Sequence, residues 1–168
     1  MILETERLRL REMDSALDAE FIFELLNTPK FIKYIGNRGV LSAEQAREFI
    51  DNKYRQSYRD YGYGLYIVVS KTDDIPVGVC GFVKRDHFEF PDLGFAFLPK
   101  FESKGYGFES ANGALEYGRG KLNFTTVLAI TTQDNEVSVK LLEKLGFRFD
   151  GIFKNPEGEE LKLFQKSL

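Results

Sequence analysis

Residues 93–109 decide the fold of this chain, and they read LGFAFLPKFESKGYGFE. Leu93–Leu98 is a run of apolar and aromatic residues, which is typical of a strand. A short loop follows, and Gly105–Arg119 then has the apolar spacing of a helix. The segment is therefore predicted to be a strand, a loop and a helix that begins close to two glycines.

The start of this predicted helix has the features of an anion site. A helix N-terminus leaves backbone N–H groups unpaired and carries partial positive charge, so it suits a diphosphate. Gly105 and Gly107 would let the backbone approach phosphate oxygens without a Cβ in the way. Many such turns bind nothing, and the loop alone is equally consistent with an ordinary connection. It matches neither a Walker P-loop nor a dinucleotide-binding fingerprint.

Outward from this segment, the chain is predicted to run β-α-α-β-β-β-α-β-α-β-β. The first helix is expected to be capped by Asp14 or Ser15 and to bury Leu17, Phe21 and Leu25. A capping-box spacing from Ser42 predicts the second helix, which ends before Gly62. The remaining helices are Gly105–Arg119 and Asn135–Leu145. The predicted strands are Arg7–Arg11, Leu65–Ser70, Pro76–Val83, Leu93–Leu98, Thr126–Thr131, Phe147–Phe153 and Leu161–Phe164. The middle strands should form an antiparallel meander, and residues 93–131 a right-handed parallel crossover.

Composition excludes several classes of function. A length of 168 residues is that of one domain. A net charge of −3 argues against a nucleic-acid partner, which would require a basic face. One cysteine and one histidine leave no disulfide and no Cys or paired-His metal site. No apolar stretch approaches the ~20 residues that span a bilayer, and the first residues do not resemble a targeting leader. We therefore expect a cytoplasmic, metal-free protein without a membrane partner.

Three motifs, in order, resemble one known family. The loop is similar to motif A of the GNAT (Gcn5-related) acetyltransferases, Arg/Gln-x-x-Gly-x-Gly/Ala. Gly94–Pro99 and Lys104–Ala111 resemble more closely the RimJ/RimL-like ribosomal-protein N-acetyltransferase branch. Glu4–Arg11 is similar to the opening of that branch, TERLxLR, and Asn135–Phe147 to its N-x-x-S helix. The resemblance covers nearly the whole chain.

This resemblance implies an α/β (α+β) fold in a single domain, residues 1–168. Its central sheet would be mixed, mostly antiparallel and twisted, with about seven strands and about four flanking helices. Acetyl-CoA would be the co-substrate, with its pantetheine arm between the diverging strands that begin at Leu93 and Thr126. The residues implied in binding it are Phe95, Ala96, Phe97, Ser103, Lys104, Gly105, Tyr106, Gly107, Phe108, Asn135 and Ser138.

Two loop residues depart from the family pattern. Glu102 stands in place of the usual Arg or Gln, and Ser103 in place of a common Gly. A carboxylate beside an anion site is unfavourable, so we expect Glu102 to point away and Lys104 to lie closer to the phosphates. Ser103 has a backbone N–H group like any residue other than proline, so it could still contribute that group to diphosphate binding.

The resemblance also implies candidate catalytic residues. Many GNAT enzymes protonate the thiolate with a Tyr seven residues after the Asn, but here that position is Leu142. Ser138, three residues after Asn135, is the RimL-like alternative. For the base, Asp92 matches a position where several family members place a carboxylate. Glu89 or a water chain remain alternatives.

The implied activity is transfer of an acetyl group to a primary amine, with a protein N-terminal α-amine as the preferred acceptor. Two alternatives remain open. One is a small-molecule amine such as a polyamine or an antibiotic, since one fold serves many acceptors. The other is a non-catalytic, regulatory CoA-binding module. A monomer and a homodimer are equally compatible with the sequence.

Overall fold

Eight strands form one sheet in the computed structural model, which describes residues 1–168. The strands are β1 (Leu3–Glu4), β2 (Leu8–Arg11), β3 (Leu65–Ser70), β4 (Ile75–Val83), β5 (Asp92–Phe97), β6 (Thr126–Thr132), β7 (Arg148–Lys154) and β8 (Glu160–Ser167). Their order across the sheet is β1-β2-β3-β4-β5-β6-β8-β7. Every neighbouring pair is antiparallel except β5 and β6, which are parallel. The predicted mixed, mostly antiparallel sheet is confirmed, with one strand more than expected.

Helices cover both faces of this sheet. They are α1 (Ala19–Leu26), α2 (Pro29–Tyr34), α3 (Ala43–Phe49), α4 (Gln56–Tyr61), α5 (Tyr106–Gly120) and α6 (Glu136–Lys144), and a π-helical segment (Ile50–Arg55) joins α3 to α4. Residues of α5 and α6 pack on one face in a core of 18 buried residues. Residues of α1, α2 and α3 pack on the other in a core of 13. No helix is long and apolar enough to cross a membrane.

Local sequence explains where most helices begin and end. Ser42 Oγ accepts the backbone N–H of Gln45, as the capping-box spacing predicts. Asn135 Oδ1 caps α6 in the same way. Gly62 and Gly146 follow helix ends with φ of 80° and 93°, values that a residue with a Cβ rarely adopts. These boundaries agree with the predicted ones.

The first helix was predicted wrongly at its start. It begins at Ala19 rather than after Asp14 or Ser15, and Leu17 is exposed instead of buried. The reason is local, because Asp14 Oδ1 accepts the N–H groups of Ala16 and Leu17 and so forms a separate turn. Helix α2 was also missed. Pro29 was interpreted only as the end of α1, but it is the first residue of α2, a position where proline is favoured.

Candidate functional site

The parallel strands β5 and β6 separate after a single paired position. Asp92 is opposite Leu128, and the N–H of Leu128 donates to the C=O of Pro91 at 2.9 Å. No later residue of β5 is paired with β6, whereas β5 stays paired with β4 from Asp92 through Phe97. We call the opening between the two strands the gap, and its closed end is the Asp92–Leu128 pair.

The backbone of β5 presents hydrogen-bonding groups to the gap. The N–H of Leu98 donates to the C=O of Val77 in β4 at 3.1 Å. In an antiparallel pair, residues alternate between bonding their partner and pointing away from it. The backbone groups of Phe95 and Phe97 therefore point toward β6. Ala96, between them, bonds β4 instead.

The opposite edge of the gap follows the same alternation. The N–H of Leu168 donates to the C=O of Thr125 at 2.9 Å, so odd-numbered residues of β6 bond β8. The backbone groups of Ile130 and Thr132 consequently face the gap. Both edges thus offer strand-like hydrogen bonds to an extended ligand that carries amides.

Two buried hydroxyls lie at the end of β6, and they project from opposite faces of the sheet. Thr131 Oγ1 and Thr132 Oγ1 are inaccessible to solvent and have no hydrogen-bond partner within the chain. A buried polar group without a partner costs about 1–3 kcal/mol, so such groups are expected where a ligand or water completes the site. Sequence reasoning did not identify either threonine, because a β-branched residue in a strand is ordinary.

The loop after β5 leads into an uncapped helix. Gly105 precedes α5 with a φ of 81°, and no side chain accepts the first N–H groups of this helix. The helix start is therefore free to bind an anion. Ser103 also has a left-handed φ, 62°, which explains why a glycine is common at this position in the family pattern.

Gly107 also lies where two helices approach each other. A Cβ at this position would lie 3.1 Å from Leu141 Cδ2, so the glycine allows α5 to pack closely on α6. Gly94 likewise serves a close approach, here to Leu65 Cδ2 at 3.3 Å. The register between β4 and β5 contains no bulge at Gly94.

Glu102 points away from the start of α5, as expected from its charge. Its carboxylate contacts Lys30 Nζ of α2 at 2.5 Å. Lys104 is exposed, and its carbonyl accepts a hydrogen bond from Arg7 at 2.9 Å. The Glu102 carboxylate is therefore engaged by Lys30 and does not neutralise the positive N-terminal end of α5.

Two aromatic residues of α5 lie under cations. The Arg7 guanidinium is 4.8 Å from the Tyr106 ring, and Lys144 Nζ is 4.4 Å from the Phe108 ring. Tyr106 and Phe108 are both half-buried and pack against the core on this face of the sheet. Their packing holds the first turn of α5 against the core.

Asn135 and Ser138 lie at the start of α6, one short loop beyond β6. Asn135 Oδ1 accepts the N–H of Ser138 at 3.3 Å, and the N–H of Asn135 donates to the C=O of Thr132. The Ser138 hydroxyl is half-buried and is bonded to no protein group. Asn135 therefore acts as a helix cap, while its amide nitrogen and the Ser138 hydroxyl remain available.

Asp92 is buried at the closed end of the gap. Arg85 Nε donates to Asp92 Oδ2 at 2.7 Å, and Asp92 Oδ1 has no partner. Burial raises the pKa of Asp92 from 3.8 to about 6, although Arg85 opposes the rise. Glu89, the other candidate base, is exposed in the loop before β5. Arg85 was not identified from the sequence.

These groups fit an acyl thioester of coenzyme A. The gap matches an amide-bearing arm, and the uncapped helix start matches a diphosphate. No cluster of His, Cys, Asp or Glu side chains that could hold a metal ion is present. Cys80 is buried in the core, and burial raises the pKa of its thiol to about 12, so it does not act as a nucleophile.

Comparison with known proteins gives a consistent result. The acetyltransferase (GNAT) domain family matches residues 7–148. The uncharacterized N-acetyltransferase YnaD of Bacillus subtilis is 28% identical over 162 residues, which cover 95% of this chain and 91% of the relative. A GNAT-family acetyltransferase from Bacillus anthracis is 26% identical, with a TM-score of 0.80 and coverage of 98% and 96%.

Two solved structures with ligands share the fold. RimL, a ribosomal L7/L12 α-N-protein acetyltransferase in complex with coenzyme A, has a TM-score of 0.81 at 14% identity, over 99% of this chain and 97% of its own. Spermidine N-acetyltransferase from Vibrio cholerae, in complex with CoA and spermine, has a TM-score of 0.78 at 20% identity, over 97% and 96%. With the family match spanning most of its length, the chain belongs to the GNAT family of N-acetyltransferases.

Proposed function

We propose that this chain transfers the acetyl group of acetyl-CoA to a protein N-terminal α-amine, as ribosomal-protein acetyltransferases do. The observation that carries the proposal is the gap between β5 and β6, whose backbone edges end at an uncapped helix on one side and at Ser138 on the other. The cofactor-binding residues are those of the β5 edge, the loop and the starts of α5 and α6.

In this proposal each residue has a defined part in the reaction. Bound acetyl-CoA supplies a thioester carbonyl that an amine attacks directly. Asp92 takes a proton from the acceptor ammonium, either directly or through water, and so frees the nitrogen lone pair. As the N–C bond forms and the C–S bond breaks, the Ser138 hydroxyl donates its proton to the departing sulfur. The attacking nitrogen releases its remaining excess proton to solvent, and solvent restores the proton on Ser138 and removes the one held by Asp92.

The gap itself contributes through orientation. Backbone groups of Phe95 and Phe97 would pair with the pantetheine amides and hold the thioester in one position along β5. The free N–H groups at the start of α5 would bind the diphosphate, and the Asn135 amide would bind the pantetheine. Such fixed placement reduces the entropic part of the activation barrier.

The environment of Asp92 bears on the choice of acceptor. Its charge is offset by Arg85, so the closed end of the gap is not an isolated anion that would select a polycation. A peptide N-terminus carries a single charge at its α-amine, whereas spermidine carries several. This contrast favours the peptide acceptor over the polyamine.

An amine panel tests the proposal. The protein is incubated with acetyl-CoA and either a peptide with a free N-terminus, the same peptide with a blocked N-terminus, or spermidine, and free CoA thiol is measured. We expect thiol release with the free peptide and background release with the blocked one.

Other outcomes would identify the alternatives. Release with spermidine alone would assign a small-molecule acceptor. Stabilisation of the fold by acetyl-CoA, without thiol release from any amine, would indicate a CoA-binding module. No binding of CoA at all would overturn the proposal.

A further inference from the structure

The N-terminal segment of the chain is bonded to the start of α5. Glu109, in the first turns of α5, accepts hydrogen bonds from Thr5 Oγ1 at 2.5 Å, from the backbone N–H of Arg7 at 2.8 Å and from Arg7 Nε at 2.6 Å. One carboxylate therefore joins residues that are more than one hundred positions apart. We call Thr5, Arg7 and Glu109 the clasp.

Arg7 also contacts the loop that precedes the helix. Its Nη1 donates to the carbonyl of Lys104 at 2.9 Å, and its guanidinium lies over the ring of Tyr106. A Cβ on Gly105 would lie 3.1 Å from Arg7 Nη2. The guanidinium is thus packed against three consecutive residues of the loop and helix start.

The Glu109 carboxylate of the clasp is held in its ionised form by its hydrogen bonds. Burial acts to raise the pKa of Glu109, but hydrogen bonds from Thr5 and Arg7 outweigh it, and the pKa is lowered. A cation at a helix N-terminus is unfavourable by itself, so Arg7 would not be retained there by the helix charge alone. Its contacts instead fix where the Lys104 carbonyl and the Gly105 backbone lie.

We propose that Arg7 is a positioning residue for the CoA diphosphate: through the Lys104 carbonyl and Glu109 it holds the loop amides in their binding geometry. This inference rests on the proposed CoA site. The positioning depends on the fork of the guanidinium, which reaches Glu109 and the Lys104 carbonyl at the same time. The two contacts use separate nitrogens of the planar guanidinium, Nε and Nη1, whereas a lysine carries its three donors on one nitrogen and cannot reproduce this geometry.

Calorimetric binding of CoA tests this role without knowledge of the acceptor. We expect Arg7→Ala and Arg7→Lys each to raise the Kd for CoA about tenfold, since each loses charge-assisted hydrogen bonds that hold the loop. Thr5→Val, which keeps the side-chain shape, should raise the Kd by a smaller factor. The matched control is Arg9→Ala, because Arg9 lies two residues further along and pairs with Glu4 and Asp74 away from the loop.

Each result bears on the proposal. An Arg7→Lys variant that binds CoA like the wild type would overturn it, because charge alone would then suffice. An unchanged Kd in a folded Arg7→Ala variant would overturn it as well. If Arg7→Ala does not fold, an unchanged Kd in Thr5→Val decides against the clasp. Wild-type protein that binds no CoA would remove the site itself and, with it, the role of Arg7.

Discussion

Asp92 combines burial, an ion pair and an oxygen without a partner at the closed end of the gap. With a pKa of about 6, it is mostly ionised at neutral pH and can accept a proton there. If Asp92 is the base, kcat/KM should rise with pH up to about 6 and Asp92→Asn should lose this rise together with most of the activity. Rate measurements between pH 5 and 8 would check this, with Glu89→Gln as the matched carboxylate control.

Unfolding experiments provide the control for that assignment. A folded-state pKa of about 6, above the ordinary 3.8, means that the folded protein binds this proton more tightly than the unfolded chain. The stabilising contribution is therefore present below pH 4 and is lost as the pH rises through 6. Between pH 7.5 and pH 4, wild type should gain roughly 2.4 kcal/mol of unfolding free energy relative to Asp92→Asn. A difference that stays constant with pH would contradict the buried-carboxylate assignment.

Ser138 can be tested by removal of a single oxygen. The Ser138 side chain makes no hydrogen bond that supports the helix, because the cap uses its backbone N–H. Ser138→Ala should therefore lower kcat at least tenfold and leave the melting temperature and the Kd for CoA nearly unchanged. Ser167→Ala, at the exposed end of β8, is the control. Unchanged turnover in Ser138→Ala would exclude it as the proton donor to sulfur.

At the level of single elements, the start of α6 allows two roles of Asn135 to be separated. Asn135→Ala removes the cap and should cost about 1 kcal/mol of stability. Asn135→Asp keeps the capping oxygen and loses the amide donor that we assign to pantetheine. We expect the Asp variant to be as stable as the wild type but to have a higher KM for acetyl-CoA. Equal KM values for the wild type and Asn135→Asp would mean that Asn135 is a cap only.

Elements whose structure depends on neighbouring residues could be predicted from the sequence, whereas elements that depend on distant residues could not. Strand β3 was predicted with its observed bounds, because a run of apolar and β-branched residues between Gly64 and Lys71 is typical of a strand. The cap of α6 and the glycine after it are equally local. Strand β1, with two residues, is too short to show any periodicity. The π-helical segment after α3 has no sequence signal that distinguishes it from α-helix.

The site divides along the same line. The helix start at Gly105 and the Asn135 cap of α6 could be predicted because both depend on neighbours within a few residues. The contacts of Arg7 with Glu109 and of Arg85 with Asp92 depend on tertiary folding, which places side chains from separate elements together. The partnerless state of Thr131 and Thr132 is likewise a property of the fold around them, so no local pattern could reveal it.

On the scale of the whole molecule, the sheet consists of two parts with a short seam. Strands β1 to β5 are continuously paired, as are β6, β7 and β8, and the pairing between the two sets is limited to Asp92 and Leu128. Each part carries its own share of the proposed CoA site, since α5 follows β5 and α6 follows β6. The site is complete only when both parts are in place.

This seam has a consequence for hydrogen exchange. The amides of Phe95, Phe97, Ile130 and Thr132 point into the gap and are not protected by a neighbouring strand, so they should exchange quickly with deuterium in the free protein. The amides of Ala96 and Ala129, which bond β4 and β8, should exchange slowly and serve as internal references. Added CoA should slow the first group and leave the second unchanged. Exchange in the gap that CoA does not alter would show that no ligand backbone lies between these strands, however tightly the diphosphate is held.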